Sequence, residues 1–210
     1  MKIAKPVLTV VIAMIVVIGI VSVKAVLYYR NTSVRIQVWE QTLRTKGNPN
    51  AAVKVVEFTD FQCPACAQAV GVIDDVMKKY PGKIYFEHKY FPLAMHSFSK
   101  RAAIFAECAA EQRKFWPFHD VLFRSQQSWV KMASVDDYFS QLAVSLGADG
   151  VRLSVCINNP LVLQRVDKDV IEGKKLGVSS TPTFFVNGKI VVGSASFRKA
   201  IESILGSNVK

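Results

Sequence analysis

Two cysteines separated by two residues, Cys63-Pro64-Ala65-Cys66, stand where the character of the chain changes. Upstream, residues 52–59 (AVKVVEFT) are rich in β-branched side chains and read as a buried strand. Downstream, residues 64–80 carry apolar side chains near helical spacing and meet a stop at Pro81-Gly82. Cys63 is thereby placed at a helix N-terminus, where unpaired backbone N–H groups and the positive end of the helix dipole favour thiolate over thiol. Cys66 lies one turn deeper, within disulfide reach but in a weaker field. One sulfur then acts as nucleophile and the other resolves the mixed disulfide. Pro64 suits the first turn, where its missing N–H costs no hydrogen bond. The competing chemistry for such a pair is half a zinc site, which needs two more ligands. Cys108 and Cys156 stand singly, without the paired spacing of zinc sites.

The elements around the pair follow an α/β order. Residues 83–91 read as a second strand, so that strand, helix and strand make a right-handed parallel unit. The pattern then turns helical over 97–112, 115–125, 135–146, 150–157 and 160–172. Strands return at 183–186 and 190–192 around Asn187-Gly188, a pair that accepts the positive φ angles of a type I′ hairpin turn. A helix over 196–205 closes the chain. Ahead of the first strand, residues 31–43 suit a short helix and TKGNPN at 45–50 breaks it, so 31–50 reads as a linker.

The stretch Gly177-Val178-Ser179-Ser180-Thr181-Pro182-Thr183-Phe184-Phe185-Val186-Asn187-Gly188 adds a second signature. With it the chain resembles the thioredoxin superfamily, and within that superfamily the DsbA-like thiol:disulfide oxidoreductases, including the membrane-anchored BdbD type. The likeness runs from about Gly47 to Leu205. It implies an α/β thioredoxin fold over residues 51–210 with a helical insertion at about 96–173. It also implies that Thr181-Pro182 is the cis-proline loop facing the cysteine pair, although by sequence alone a trans bond is the statistical default. Glu57, six residues before Cys63, belongs either to a solvated strand end or to a buried place that needs a carboxyl group. The resemblance implies the latter, with Glu57 as proton acceptor for the resolving cysteine. Burial would raise its pKa towards neutral, which suits exchange with a thiol. Ala65 departs from the most strongly oxidising relatives, which carry histidine there, so the thiol should be acidified less extremely. Closure of Cys63 with Cys66 leaves Cys108 and Cys156 as a second, structural disulfide, a feature of some DsbA-like relatives as well. Two buried free thiols are the alternative.

Composition sets the frame for this chemistry. The chain has 210 residues, half of them hydrophobic and a fifth charged, which excludes intrinsic disorder as its main state and leaves room for one domain plus accessories. Pro6 to Val23 carry no charge and are long enough to cross a bilayer; residues 1–30 are therefore expected to form an uncleaved transmembrane anchor, with Tyr28 and Tyr29 at the interface. Val23-Lys24-Ala25 is a weak cleavage site at best. The net charge of +11 is spread over pairs such as Lys78-Lys79 and Lys174-Lys175, read as solvated helix faces near an anionic membrane and not as a nucleic-acid groove. His88, His96 and His119 are expected to be structural, and Phe115, Trp116 and Phe118 to belong to the core of the insertion.

These readings combine into one expectation: a membrane-anchored dithiol oxidase acting outside the cytoplasm, on the periplasmic or extracellular face. It would use the Cys63-Cys66 pair alone, with no further cofactor and no metal. Its substrates would be thiol-containing exported proteins. Reoxidation would fall to a membrane partner of the DsbB or vitamin K epoxide reductase-like class. A reductase or isomerase on the same fold, and a non-enzymatic binding module stabilised by its cysteines or zinc, are the alternatives.

Overall fold

A computed structural model describes residues 19–24 and 43–206. The chain divides into two units, 1–42 and 43–210. Of the first unit, residues 19–24 are helical and exposed. The expected span at Pro6 to Val23 lies for most of its length outside the described residues, as do Tyr28, Tyr29 and the expected helix over 31–43 up to its last residue. Among the described residues no helix is long and apolar enough to cross a membrane.

The second unit is built on a five-stranded sheet. Its strands are β1 (Thr45–Gly47), β2 (Val53–Thr59), β3 (Ile84–Tyr90), β4 (Thr183–Val186) and β5 (Lys189–Val192), in the spatial order β1-β3-β2-β4-β5. Only β2 and β3 run parallel, joined through helix α1 (Pro64–Lys79) as the strand-helix-strand pattern requires. The helical region comprises α2 (Ser99–Glu111), α3 (Phe115–Arg124), α4 (Gln126–Trp129), α5 (Asp136–Ser145), α6 (Gly150–Cys156) and α7 (Pro160–Lys175); α8 (Ser194–Leu205) follows the sheet. The turn residues Asn187 and Gly188 take φ of 47° and 80°, as a type I′ hairpin needs.

One expectation is corrected here. Thr45–Gly47, read as part of a linker, forms β1 and pairs antiparallel with β3. A three-residue edge strand is too short to show alternation, and its glycine serves a close approach instead of a break. At φ +90°, a Cβ on Gly47 would stand 2.2 Å from the Ile84 carbonyl oxygen. The four-residue α4 was also not anticipated, and the helix expected from 97 starts at Ser99.

The two faces of β2 bury different partners. Val53 and Val55 join Ile84 and Phe86 of β3 against Ala69, Ile73 and Val76 of α1 and Phe197 and Ile201 of α8. Phe58 faces the other way, towards Phe91 and Val178. The helical region has its own core, which is continuous with Phe61, Cys63 and Cys66. A bond between Cys108 of α2 and Cys156 of α6 ties this region together across 48 residues of chain, worth roughly 4 kcal/mol in the chain-entropy account.

A buried ionic cluster fixes the helical region to the sheet. The Arg44 guanidinium lies 2.5 Å from Asp169 of α7 and 3.4 Å from Glu107 of α2, and 4.5 Å above the Tyr90 ring. The Tyr90 hydroxyl donates to Glu107 at 3.0 Å, its backbone N–H donates to Asp169 at 3.0 Å, and Arg165 donates to Glu107 at 2.8 Å. Each carboxylate is thus met by several donors, the condition under which buried charge is tolerated.

Helix α7 packs closely on the sheet because Gly173 has no side chain. A Cβ there would lie 2.8 Å from the Phe91 ring and 2.9 Å from Phe58. A helical Gly→Ala change ordinarily gains about 1 kcal/mol. At this position overpacking, at about 1–3 kcal/mol, should prevail. Gly173→Ala is therefore expected to lower the midpoint of thermal or denaturant unfolding, where an unconstrained helix would show a rise.

Candidate active site

Cys63 is the N-cap of α1, and Pro64 occupies the first helical position. No side chain caps this end, and the backbone N–H groups of Ala65 and Cys66 help to lower the pKa of the Cys63 thiol. The loop carrying Cys63 is held by two buried polar side chains. Asp60 accepts from the backbone N–H of Gln62 (2.7 Å) and Leu93 (2.8 Å), from the Ser99 hydroxyl (2.5 Å) and from His96 Nδ1 (2.7 Å). Gln126 of α4 donates from Nε2 to the carbonyls of Phe61 (2.8 Å) and Cys63 (3.0 Å). The cysteine loop is thus tied to the end of β3, the start of α2 and the short helix α4.

The two thiols, both free, have opposite surroundings. Cys63 is 7% exposed and Cys66 1%. A hydrogen bond from the Cys66 thiol lowers the pKa of Cys63 to about 5; partial burial opposes this, while the Thr181 hydroxyl and the two amides assist. Burial pushes the Cys66 thiol well up, and its bond to Cys63 and the nearby Glu57 carboxylate push in the same direction. A single proton on the pair therefore resides on Cys66.

The chain returns to this pair at the Thr181-Pro182 peptide, which is cis. The Thr181 carbonyl oxygen lies 3.5 Å from Cys63 Sγ. The Thr181 hydroxyl has no hydrogen-bond partner among the described residues, yet it favours the Cys63 thiolate. Both statements hold if the hydroxyl turns to donate only when the sulfur is charged. Glu57 is 2% exposed, on the α1 face of β2. Burial raises its pKa to about 8, against the opposing pull of Lys46 and the Thr59 hydroxyl.

The structure brings Cys63, Cys66, Glu57, Thr181 and Pro182 to one place and joins Cys108 to Cys156 elsewhere in the helical region. That bond withdraws Cys108 and Cys156 as ligands for a zinc ion at Cys63 and Cys66. Sequence reading missed Asp60, Gln126 and Lys46, while His96, expected to be structural, bonds Asp60. Apart from Gln62 beside it, the partners of Asp60 lie 33 to 39 residues away, and those of Gln126 63 and 65 residues away; no local spacing signals such contacts.

A family model described as Thioredoxin matches residues 40–204. The chain belongs to the thioredoxin family. Among solved structures it is similar to oxidised BdbD from Bacillus subtilis, at 25% identity and a TM-score of 0.65, covering 76% of this chain and 91% of that one. It is also similar in fold to α-DsbA1 from Wolbachia pipientis, at 22% identity and a TM-score of 0.67, covering 78% and 91%. Its fold is that of the DsbA- and BdbD-type thiol:disulfide oxidoreductases, an α/β thioredoxin fold with a helical insertion. A curated relative, the Na(+)/H(+) antiporter NhaA 1 of Mycobacterium sp. strain KMS, is 34% identical over 162 residues, which are 75% of this chain and 26% of the antiporter. The chain spans about a quarter of the length of such relatives.

The opposed pKa shifts give a direct expectation for the reduced protein. Alkylation of Cys63 by iodoacetamide should rise through a midpoint near pH 5 and level off, while Cys66 stays unreactive through pH 8. Glu57→Gln should stabilise the protein towards pH 8, because the unfolded chain ionises Glu57 from its ordinary pKa upward while the native state resists until about pH 8. Equal alkylation of the two cysteines over pH 5–8 would contradict this account.

Proposed function

We propose that this protein is a membrane-anchored thiol:disulfide oxidoreductase that introduces disulfides into exported proteins. The observation that carries the reading is the asymmetry of the pair: a Cys63 sulfur stabilised as thiolate at a helix N-terminus, above a buried Cys66 that holds the proton. Family membership and the likeness to BdbD support the class of chemistry.

In the oxidised enzyme a substrate thiolate attacks Cys63 Sγ, forming the mixed disulfide and breaking the Cys63-Cys66 bond. Cys66 leaves as a thiolate and takes up a proton, its environment disfavouring charge. A second substrate thiolate then attacks the substrate sulfur of the mixed disulfide. Cys63 leaves as the thiolate that its helix stabilises. Two electrons have passed from substrate to enzyme, and the substrate holds a new disulfide. Thr181, with its hydroxyl and carbonyl beside Cys63, and Pro182 edge the site at which the mixed disulfide forms. Glu57, protonated near neutral pH and close to Cys66, is the proton donor and acceptor for that thiol.

The sulfur pair suffices as redox group, with no cofactor or metal. The electrons pass on to a membrane oxidant of the DsbB or vitamin K epoxide reductase-like class. The apolar run from Pro6 to Val23 supports an anchor, and the Cys108-Cys156 bond supports a domain outside the reducing cytoplasm.

The test uses the full chain, oxidised, with a reduced peptide bearing two thiols. One disulfide should form in the peptide per enzyme consumed and Cys63→Ser should abolish this; Cys66→Ser, given glutathione disulfide, should accumulate a mixed disulfide through Cys63 as one glutathione thiolate is released. In cells the protein should fractionate with membranes. Oxidation retained by Cys63→Ser would overturn the mechanism, and a soluble form starting near Val26 would overturn the anchor.

A further inference from the structure

Gln126 opens the four-residue helix α4 and is 2% exposed. Both atoms that its amide meets are carbonyl oxygens, which only accept, so the nitrogen faces them and gives them its two hydrogens: Phe61 at 2.8 Å and Cys63 at 3.0 Å. The Phe61 side chain is gripped by the same region, with its ring centroid 4.9 Å from that of Phe123 on α3.

Hydrogen-bond satisfaction does not require the bond to Cys63. The Cys63 carbonyl already accepts from the backbone N–H groups of Cys66 at 3.1 Å and Ala67 at 3.2 Å. Those two donors match its two lone pairs. What a third donor adds, brought by a side chain from 63 residues away, is position. Phe61 and Cys63 flank Gln62, so one planar amide fixes both ends of the segment that delivers the nucleophile. The helix that carries this amide is fastened at its start and at its end. Ser125, between α3 and α4, donates from its hydroxyl back to the Val121 carbonyl at 2.8 Å. Trp129, fully buried, donates from Nε1 to the Leu122 carbonyl at 2.8 Å and meets the Phe139 ring edge-on at 5.3 Å.

We propose that Gln126 is a positioning residue through which the helical insertion sets the oxidising strength of the Cys63-Cys66 pair. The inference rests on the oxidoreductase reading above. In the oxidised protein the sulfur–sulfur bond itself holds Cys63 to α1. On reduction the pair gains two electrons, that bond breaks, Cys63 is left as a thiolate and Cys66 takes up a proton. With both cysteines free, only noncovalent contacts keep the Cys63 sulfur at the start of α1 and 3.5 Å from the Thr181 carbonyl oxygen. The clamp from Gln126 therefore favours the reduced state more than the oxidised one. A favoured reduced state makes the disulfide a stronger oxidant.

The experiment equilibrates full-length wild type and variants with glutathione buffers, quantifies the free Cys63 and Cys66 thiols, and follows the pH midpoint of Cys63 alkylation in the reduced proteins. Gln126→Met keeps the length of the side chain and removes both donors. Its equilibrium constant for oxidising glutathione should fall about tenfold, a shift of about 30 mV towards more negative potential. Its alkylation midpoint should rise by about one pH unit from the wild-type value near 5. Gln126→Glu, which when ionised cannot donate and adds negative charge beside the Cys63 carbonyl, should move both readings further in the same direction; it carries the test should Gln126→Met not fold. Gly173→Ala, which strains the packing of α7 on the sheet, should leave both readings at their wild-type values and so separates positioning from lost stability. A folded Gln126→Met with the wild-type potential and midpoint, or an equal shift in Gly173→Ala, would overturn the proposal. A wild-type potential below about −300 mV would instead overturn the oxidoreductase reading beneath it.

Discussion

The uncapped N-terminus of α1 is the constraint around which the rest of the molecule is arranged. A helix leaves its first amides without partners, and they must be satisfied by a side chain, by water or by an anion. Here no side chain hydrogen-bonds that end, and its first amides favour the Cys63 sulfur as a thiolate. The same helix carries Cys66 one turn inward, where the core closes over it. A difference of position along one turn of helix thereby becomes a difference in charge state, and the pair has a direction: attack falls on Cys63 and the proton goes to Cys66.

That arrangement is useful only if the loop before α1 is held rigidly, and long-range contacts do this. Asp60 gathers four donors from three separate segments, and Gln126 reaches in from the helical region to the carbonyl of Cys63 itself. The helical region is in turn seated on the sheet by the Arg44, Glu107 and Asp169 cluster. Breaking one member of such a cluster leaves charge buried and unpaired, a loss of about 3–5 kcal/mol. Site and insertion therefore depend on the same buried polar contacts, which lie outside the cysteine motif.

Much of this was legible in the amino-acid sequence where the signal is local. The strand-to-helix junction at Cys63, the Asn187-Gly188 turn and the boundaries of α3 and α6 follow from periodicity and turn chemistry within a few residues. β1 was not legible, because three residues at a sheet edge have no pattern of their own and Gly47 resembles a break until its approach to Ile84 is seen. Asp60 was not legible either, because Leu93, His96 and Ser99, which bond it, lie 33 to 39 residues away. His88 looked like one more core residue on an alternating strand, and its unpaired nitrogens and its register with Glu57 emerge only when β2 and β3 are paired.

The central claim is that thiolate stabilisation at Cys63 makes its disulfide with Cys66 an easily reduced one. The most direct test is the reduction potential of that pair, obtained by equilibrating the protein with glutathione buffers and quantifying the free Cys63 and Cys66 thiols. The account predicts a value between those of thioredoxin and DsbA, roughly −270 to −120 mV. A value below about −300 mV, in the range of structural disulfides, would contradict it.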